Sequence, residues 1–162
     1  MLRYDKDGEI PMYMFGNQVS SHVARSREEF FQVLNTHTPT NQTTNLLEAL
    51  RRAFDVHLHS PDRMLFLVIT DGQPNAGQER EIQRLIKGRV PPVDPAGDRV
   101  NLLFVRVGDD PGAIKFLSDL DDCASIGQWV DTKSDNAIYR MGPENVIVNS
   151  FYEHLDAHFQ HL

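Results

Sequence analysis

Three scarcities limit what this chain of 162 residues can be: it has one cysteine, no long apolar run and few positive charges. Cys123 is the only cysteine, so neither an intramolecular disulfide nor a zinc site of several cysteines can form. No apolar stretch approaches the roughly 18 residues that span a membrane, and the first residues lack a signal-peptide core. We therefore expect a cytoplasmic protein without a transmembrane segment.

The deficit of basic residues argues against a nucleic-acid partner. Lys and Arg number 16 against 23 for Asp and Glu, which gives a net charge of -7 and a pI near 5.4. Binding to nucleic-acid phosphates needs clustered Lys and Arg. The densest basic pair, Arg51 and Arg52, lies between Glu48 and Asp55. This pattern favours a solvated helix face.

Length and composition indicate one globular domain over residues 1–162. Apolar residues make up 40% and charged residues 24%, which is ordinary for a globular protein. A chain of this length suits a single domain. The proline-rich stretch 89–99 is followed directly by another predicted strand, so it is interpreted as a long connection within that domain.

The most informative segment is the apolar run 64–69, which ends in Thr70-Asp71-Gly72. A short run rich in Leu, Val and Ile predicts a strand buried on both faces of a parallel sheet. Asp71 would then follow the carboxyl end of that strand, where open α/β sheets place their ligand crevices. A carboxylate in such a place needs a cation or hydrogen-bond donors. The segment therefore predicts a site.

Strands and helices alternate along the chain, which predicts a three-layer α/β fold with a mostly parallel sheet. His57 and His59 are expected at the end of a helix, where a cationic imidazole complements the helix dipole. Cys123 is expected to be buried and not nucleophilic. Predicted strands cover 10–15, 18–23, 64–69, 102–107 and 126–130; predicted helices begin at Ser26 and at Thr44 or Asn45, cover 78–87 and 109–119, and begin again at Pro143.

The loop after Asp71 has the glycine spacing of a phosphate-binding P-loop, from Gly72 to Gly77. The lysine and hydroxyl that hold phosphate and magnesium are replaced by Gln78 and Glu79. Neither GxGxxG nor GxSxG occurs, so the sequence lacks the motifs that indicate dinucleotide binding and α/β-hydrolase chemistry. A nucleotide site is therefore not expected.

Thr44 is the second candidate site residue. It stands at a predicted helix start, and its neutral hydroxyl is a suitable oxygen ligand for a hard cation. The alternative is a plain helix cap, a common role for threonine. The cation interpretation gains weight when Thr44 is taken together with Asp71.

A helix-initiating threonine followed by a buried strand ending in Thr-Asp-Gly resembles the von Willebrand factor A (vWA) domain. Thr44 matches the threonine of that family's metal-ion-dependent adhesion site, and Asp71 matches the aspartate that ends its fourth strand. The chain resembles the intracellular branch found in tellurium-resistance and copine-type proteins. Further matching segments are 4–8, 14–16, 105–110 and 116–122, and the match runs over nearly the whole chain.

One departure from the family is large: no Asp-x-Ser-x-Ser motif occurs in this sequence. The resemblance therefore implies an N-terminally truncated domain that lacks the family's first, central strand and its serine loop. The loss should leave strands 10–15 and 64–69 with unpaired edges. Thr44 and Asp71 are two of the family's five metal-ligand side chains. Mg²⁺, the family's ion, is therefore expected to bind weakly or not at all.

The resemblance implies a non-enzymatic protein-interaction module with a degenerate adhesion site. In the family, an acidic side chain of the protein partner completes the metal shell. The missing strand also implies possible self-association at its position. The alternative is a metal-assisted hydrolase or transferase on another doubly wound sheet that uses Asp71. That alternative requires a deep pocket with Asp71 and a second titratable group.

Overall fold

The computed structural model describes residues 8–36, 44–142 and 145–146. None of the helices in this part of the chain is long and apolar enough to cross a bilayer. The elements, in chain order, are β1 (Ile10–Phe15), β2 (Val19–Ala24), α1 (Arg27–Thr36), α2 (Leu46–His57), β3 (Met64–Thr70), α3 (Glu79–Arg89), β4 (Val100–Arg106), α4 (Pro111–Asp121), β5 (Val130–Ser134) and α5 (Asp135–Met141).

The described strands form two separate sheets. β1 and β2 make an antiparallel hairpin in which Ile10 pairs with Ala24 and Phe15 with Val19. β3, β4 and β5 make a parallel sheet in the order β3-β4-β5. The prediction of an α/β fold with parallel strands and flanking helices is confirmed.

Helices and sheet form three layers around two apolar clusters. The larger cluster lies between α2, α3 and α4 and one face of the parallel sheet, and includes Phe54, Leu102 and Phe104. The smaller cluster covers the opposite face around Leu103 and Val105, with Ile138 of α5 packed against it. Alternate residues of β4 therefore enter opposite cores, as the period of two in a strand requires.

Two helix starts follow from local sequence. The Ser26 hydroxyl accepts a hydrogen bond from the Glu29 N–H at 3.1 Å, just before α1. Asp110 accepts from the Ala113 N–H at 2.7 Å, and Pro111 occupies the first turn of α4. Both contacts satisfy amide groups that have no partner inside the helix.

The proline-rich connection between α3 and β4 is organised by Asp94, whose role was not predicted. Asp94 is only 3% exposed, and its carboxylate accepts from the N–H groups of Asp98, Arg99 and Val100 at 3.3, 3.2 and 2.9 Å. The Trp129 indole donates to the Asp94 carbonyl at 2.9 Å. The connection is therefore packed into the domain, as expected, and it fixes where β4 begins.

The predicted strand over 126–130 is wrong. Gly127–Trp129 forms a 3₁₀ turn, and β5 begins at Val130. Ile126 and Trp129 are both buried three positions apart, which is one turn of a 3₁₀ helix. The helix α5, capped by Ser134, was not predicted. Apart from residues 145 and 146, which are helical, the helix predicted from Pro143 lies outside the described residues.

The expectation that β3 is buried on both faces is also wrong. Only Val68 and Thr70 are buried in this strand, and Ile69 is 55% exposed. Two physical reasons account for the exposure. Among the described residues, β3 has a neighbouring strand on one side alone, and the apolar cluster on its second face is small.

Candidate functional site

Asp71 follows β3 directly at the carboxyl edge of the parallel sheet, as predicted. The preceding Thr70 is buried, and its hydroxyl donates to the Gly72 carbonyl at 3.2 Å. This contact bends the chain so that Asp71 itself is exposed. Asp71 makes no hydrogen bond or ion pair with another residue in the described ranges. Its carboxylate is therefore free to meet a ligand.

Thr44 lies against the loop that follows Asp71. Its N–H donates to the Asn75 side-chain oxygen at 2.8 Å, and its carbonyl accepts from the Asn75 N–H at 3.2 Å. A Cβ placed on Gly72 would lie 3.9 Å from the Thr44 hydroxyl oxygen. The structure thus brings Thr44 next to the residue that follows Asp71.

Capping does not explain Thr44. The N-cap position of α2 belongs to Asn45, which makes no side-chain cap hydrogen bond. The Asn45 N–H instead donates to the Gly16 carbonyl at 3.2 Å, just past the end of β1. Residues 44 and 45 therefore join the segment after β1 to the loop after β3.

Asn75 is a site residue that the sequence did not reveal. It holds Thr44 through two hydrogen bonds, although the two residues lie 31 positions apart. A polar residue in a loop that follows a strand can indicate a binding site. Here, however, the motif of the loop is defined by its glycines and does not single out Asn75. Nothing local in the sequence connects Asn75 with Thr44.

The same loop also contacts the start of α4 through Gln73. A Cβ added to Gly112, in the first turn of α4, would overlap the side chain of Gln73. The absence of a side chain at position 112 therefore leaves the space that Gln73 fills. The loop that begins at Asp71 is held on one side by Thr44 and on the other by α4.

A cleft of about 520 Å³ lies beside the first turns of α2. Arg51 and Arg52 line it, and both pair with Glu48, at 3.1 and 2.8 Å. Hydrogen bonding from Arg52 is the main cause that lowers the pKa of Glu48. The arginines form the solvated, internally paired helix face that was predicted. The cleft is bordered by Gln78 and by the β1–β2 turn, and its lining does not include Asp71.

The donors at Thr44 and Asp71 do not fit tight magnesium binding. Mg²⁺ demands six oxygen ligands in near-octahedral geometry and gives up its water reluctantly. Thr44 and Asp71 supply one hydroxyl and one carboxylate. No group of three or more His, Cys, Asp or Glu side chains in the described ranges could hold a metal ion. The two residues alone therefore offer too little charge to compete with hydration.

At the opposite end of α2, His57 contacts Tyr13 of β1. The Tyr13 hydroxyl lies 2.9 Å from His57 Nε2, and the two rings meet edge to face with centroids 5.9 Å apart. Burial lowers the pKa of His57 and raises the pKa of Tyr13. The expectation of a cationic His57 is therefore wrong in direction, because burial disfavours the charged imidazole.

Cys123 departs from its expectation as well, because it is half-buried. Its sulfur lies 3.3 Å from the Ser125 hydroxyl, and hydrogen bonding to Ser125 lowers the pKa of the thiol. Cys123 packs at the margin of the larger apolar cluster, after α4. None of the described contacts joins it to Asp71.

Comparison with known proteins gives little beyond the geometry. No family model matches the sequence, and no curated protein matches it. Among solved structures, the chain resembles the crystal structure of the SpRpn10 VWA domain at 16% identity and a TM-score of 0.49. The match covers 78% of this chain and 64% of that one, so the chain spans less than two thirds of its neighbour.

Proposed function

We propose that this chain is a non-enzymatic protein-interaction module of the vWA type with a degenerate metal-ion-dependent adhesion site. The observation that carries the proposal is the contact between Thr44 and the loop after Asp71, at the carboxyl edge of a parallel sheet. Thr44 and Asp71 belong to separate segments of the sequence. Their segments meet through Asn75, as a shared site requires.

The geometry suits recognition of a partner at the surface. Asp71 is exposed, whereas Thr44 is half-buried and held by its backbone. A protein surface that docks here would meet one carboxylate and one hydroxyl on fixed segments. In the family pattern, an acidic side chain of the partner completes the shell of a bound ion. Here the ion would rest on Thr44 and Asp71 alone, so the proposed site is a weakened form of that pattern.

Strand pairing supports the finer proposal that the family's first strand is absent from the sheet. β1 is hydrogen-bonded only to β2, and β3 only to β4, among the described strands. In the family pattern a central strand would separate β1 from β3. The tellurium-resistance and copine-type branch is part of the same proposal and rests on the sequence matches. Its further consequence is an open strand position, which a second copy of the chain or a segment of a partner would fill.

Metal titration tests the site directly. Calorimetric titration with Mg²⁺ or Mn²⁺ should give no dissociation constant tighter than about a millimolar, because Asp71 supplies the one charged ligand. At higher concentrations, paramagnetic Mn²⁺ should broaden the amide signals of Thr44, Gly72 and Asn75 first. The Asp71→Asn variant, which keeps the shape of the side chain, is the matched control and should lose that local broadening.

Two results would overturn the proposed site. Micromolar affinity abolished by Asp71→Ala would mean that other residues supply a complete shell. Broadening that begins elsewhere, for instance around Asp121 and Asp131, would place the preferred cation position away from Thr44. Calorimetry measures the first outcome and NMR the second, and neither measurement needs the partner protein.

The enzymatic alternative depends on a second titratable group beside Asp71. In the described residues, Asp71 makes no hydrogen bond or ion pair with such a group, and the cleft near α2 is lined by other side chains. These observations favour the interaction module. Hydrolysis of generic phosphate and carboxylate esters that is lost in Asp71→Asn would instead support a hydrolase.

A further inference from the structure

One edge of β3 carries backbone groups without hydrogen-bond partners in the described ranges. The Met64 N–H donates to the Arg99 carbonyl at 2.7 Å, and the Val107 N–H donates to the Thr70 carbonyl at 2.9 Å. Both ends of β3 therefore fix which of its residues bond to β4: positions 64, 66, 68 and 70. In a parallel ladder, the residues between them point both backbone groups to the other side.

Those intervening residues are Leu65, Leu67 and Ile69, and their N–H and C=O groups form what we call the open edge. No hydrogen bond to these groups occurs among the described residues. Backbone groups in a half-buried place need partners, and an unpaired edge is a template for another strand. Side-chain exposure points the same way: Ile69 is 55% exposed, whereas its register partner Val105 in β4 is 3% exposed.

The helix α2 packs against the face of β3 that carries Phe66, and it also reaches β1. Phe54 packs edge to face against Phe66 of β3, with centroids 5.2 Å apart, and His57 packs against Tyr13 of β1. A helix about 10 Å wide spans roughly two strand spacings of about 4.8 Å. β1 and β3 are neither hydrogen-bonded to each other nor packed side by side in the described ranges, so an inserted strand would lie between them under α2.

Both flanking strands run in the same direction. The Gly16 carbonyl, just past β1, accepts from the Asn45 N–H, and Asn75, in the loop after β3, bonds to Thr44. The carboxyl ends of β1 and β3 therefore both lie at the start of α2. A strand inserted parallel to β3 would end at the same edge, beside the exposed Asp71.

We propose that the open edge binds one extended segment of a partner protein, parallel to β3, by strand addition. Its residues would be apolar on both faces, because α2 covers one face and the cluster around Leu103 covers the other. A Lys or Arg just past its carboxyl end would face the Asp71 carboxylate, which has no ion-pair partner in the described residues of this chain of net charge -7. Main-chain hydrogen bonds would supply affinity and side chains specificity.

A second folded copy is a poorer occupant. The hairpin β1–β2 stands beside the same position, so a sheet from another copy could reach β3 only if that hairpin moved. A single extended segment needs no such movement. The inference does not depend on metal, so it can fail or hold independently of the proposed adhesion site.

Amide hydrogen exchange on the full chain, in EDTA, tests the strand addition. The probe is a peptide of seven alternating Val and Leu residues followed by two lysines. In the free protein, the amides of Leu65, Leu67 and Ile69 should exchange rapidly, and those of Phe66 and Val68 slowly. With the peptide, the first set should become at least tenfold slower, while the second set changes little.

Three matched peptides provide the controls. N-methylation at alternate residues, or a central proline, keeps the charge and nearly all the apolar side chains but removes main-chain donors, and should abolish the protection. Replacing the two lysines by glutamates should weaken binding by about two- to fivefold or more, the scale of an exposed ion pair. In Asp71→Asn, the lysine and glutamate peptides should bind more nearly alike.

Each remaining outcome overturns the proposal. Slow exchange at Leu65, Leu67 and Ile69 in the dilute free monomer would show that the chain covers its own edge. Protection that rises with protein concentration without peptide would assign the edge to a second copy. Equal protection by the N-methylated peptide would show that binding is apolar adhesion without strand pairing.

Discussion

β3 and β4 are neighbouring strands of equal length, and yet their surroundings differ strongly. β4 is hydrogen-bonded on both sides, and six of its seven residues are buried. β3 is bonded on one side among the described strands, and two of its seven residues are buried. Both are rich in Leu, Val and Phe. Burial of an apolar strand is therefore set by its neighbours on each side and not by its own composition.

The largest expected effect comes from a leucine pair that spans the two strands. Leu67 of β3 lies opposite Leu103 of β4 in the register, and both enter the smaller apolar cluster. Leu103 is fully buried, so Leu103→Ala should cost about 2–5 kcal/mol of unfolding free energy. Leu67 is half-buried, so Leu67→Ala should cost about half of that or less. Urea unfolding followed by circular dichroism measures both.

Equal losses of unfolding free energy in Leu67→Ala and Leu103→Ala would contradict the difference in burial between β3 and β4. They would mean that β3 is as well covered as β4 in solution, by a segment outside the described residues or by another copy. Repeating the Leu67→Ala measurement over a hundredfold range of protein concentration separates these two explanations.

The next effect concerns how the two strands begin. β4 starts at a turn fixed by Asp94, whose carboxylate accepts three backbone N–H groups. Asp94→Ala should therefore cost about 2 kcal/mol, because buried donors lose their acceptor. Asp98→Ala removes an exposed carboxylate from the same loop and is the matched control, with a change of about 0.5 kcal/mol or less.

Thermal unfolding of the two loop variants reads out the difference. If Asp94→Ala were as mild as Asp98→Ala, water or neighbouring groups would satisfy the freed amides, and the turn would not define the start of β4. A loss confined to the exchange protection of Val100 would locate the damage at the strand start.

The smallest effect contrasts the two flanks of α2, which meets β3 through Phe54 and Phe66 but β1 through His57 and Tyr13. Burial lowers the pKa of His57 below its ordinary value of 6.5. The unfolded chain then binds the proton more tightly, so stability should rise with pH from the folded pKa up to about 6.5. His57→Phe should flatten that slope in urea unfolding between pH 5 and 8.

Tyr13→Phe provides the control for this titration, because it removes the hydroxyl while leaving the imidazole covered. It should keep the pH slope of the native chain. A proton-NMR titration of the His57 ring with a midpoint above 6.5 would contradict the assignment. The surroundings of His57 beside Tyr13 would then favour the charged imidazole.

Local features of the sequence predicted most elements, and distant contacts account for what was missed. The caps Ser26 and Asp110 act within three residues, so they are visible in sequence. Trp129 bonds to the Asp94 carbonyl from 35 positions away, which no local pattern reveals. Ile126 is a residue type that favours strands. It is buried together with Trp129, however, three positions away, which is the spacing of a 3₁₀ turn.

The residues of the candidate site were predictable to a similar extent. Thr44 and Asp71 each stand at the edge of a predicted element, so they could be found separately. The residue that joins them, Asn75, belongs to a loop without periodicity, and its partner is 31 positions away. The exposure of Ile69 could not be predicted because it depends on the neighbours of β3 and not on its own residues.

The packing of Gln73 against Gly112 has an evolutionary consequence. Gly112 has no positive φ, so its backbone does not demand glycine; the demand comes from the side chain of Gln73. Positions 73 and 112 should therefore co-vary: a side chain at 112 displaces the exposed, flexible side chain of Gln73 from this contact, and a small residue at 73 removes that need. In a library randomised at both positions and selected for folding, alanine or serine at 112 should be enriched together with glycine or alanine at 73. Independent assortment of the two positions would show that the loop after Asp71 moves freely enough to accept both side chains.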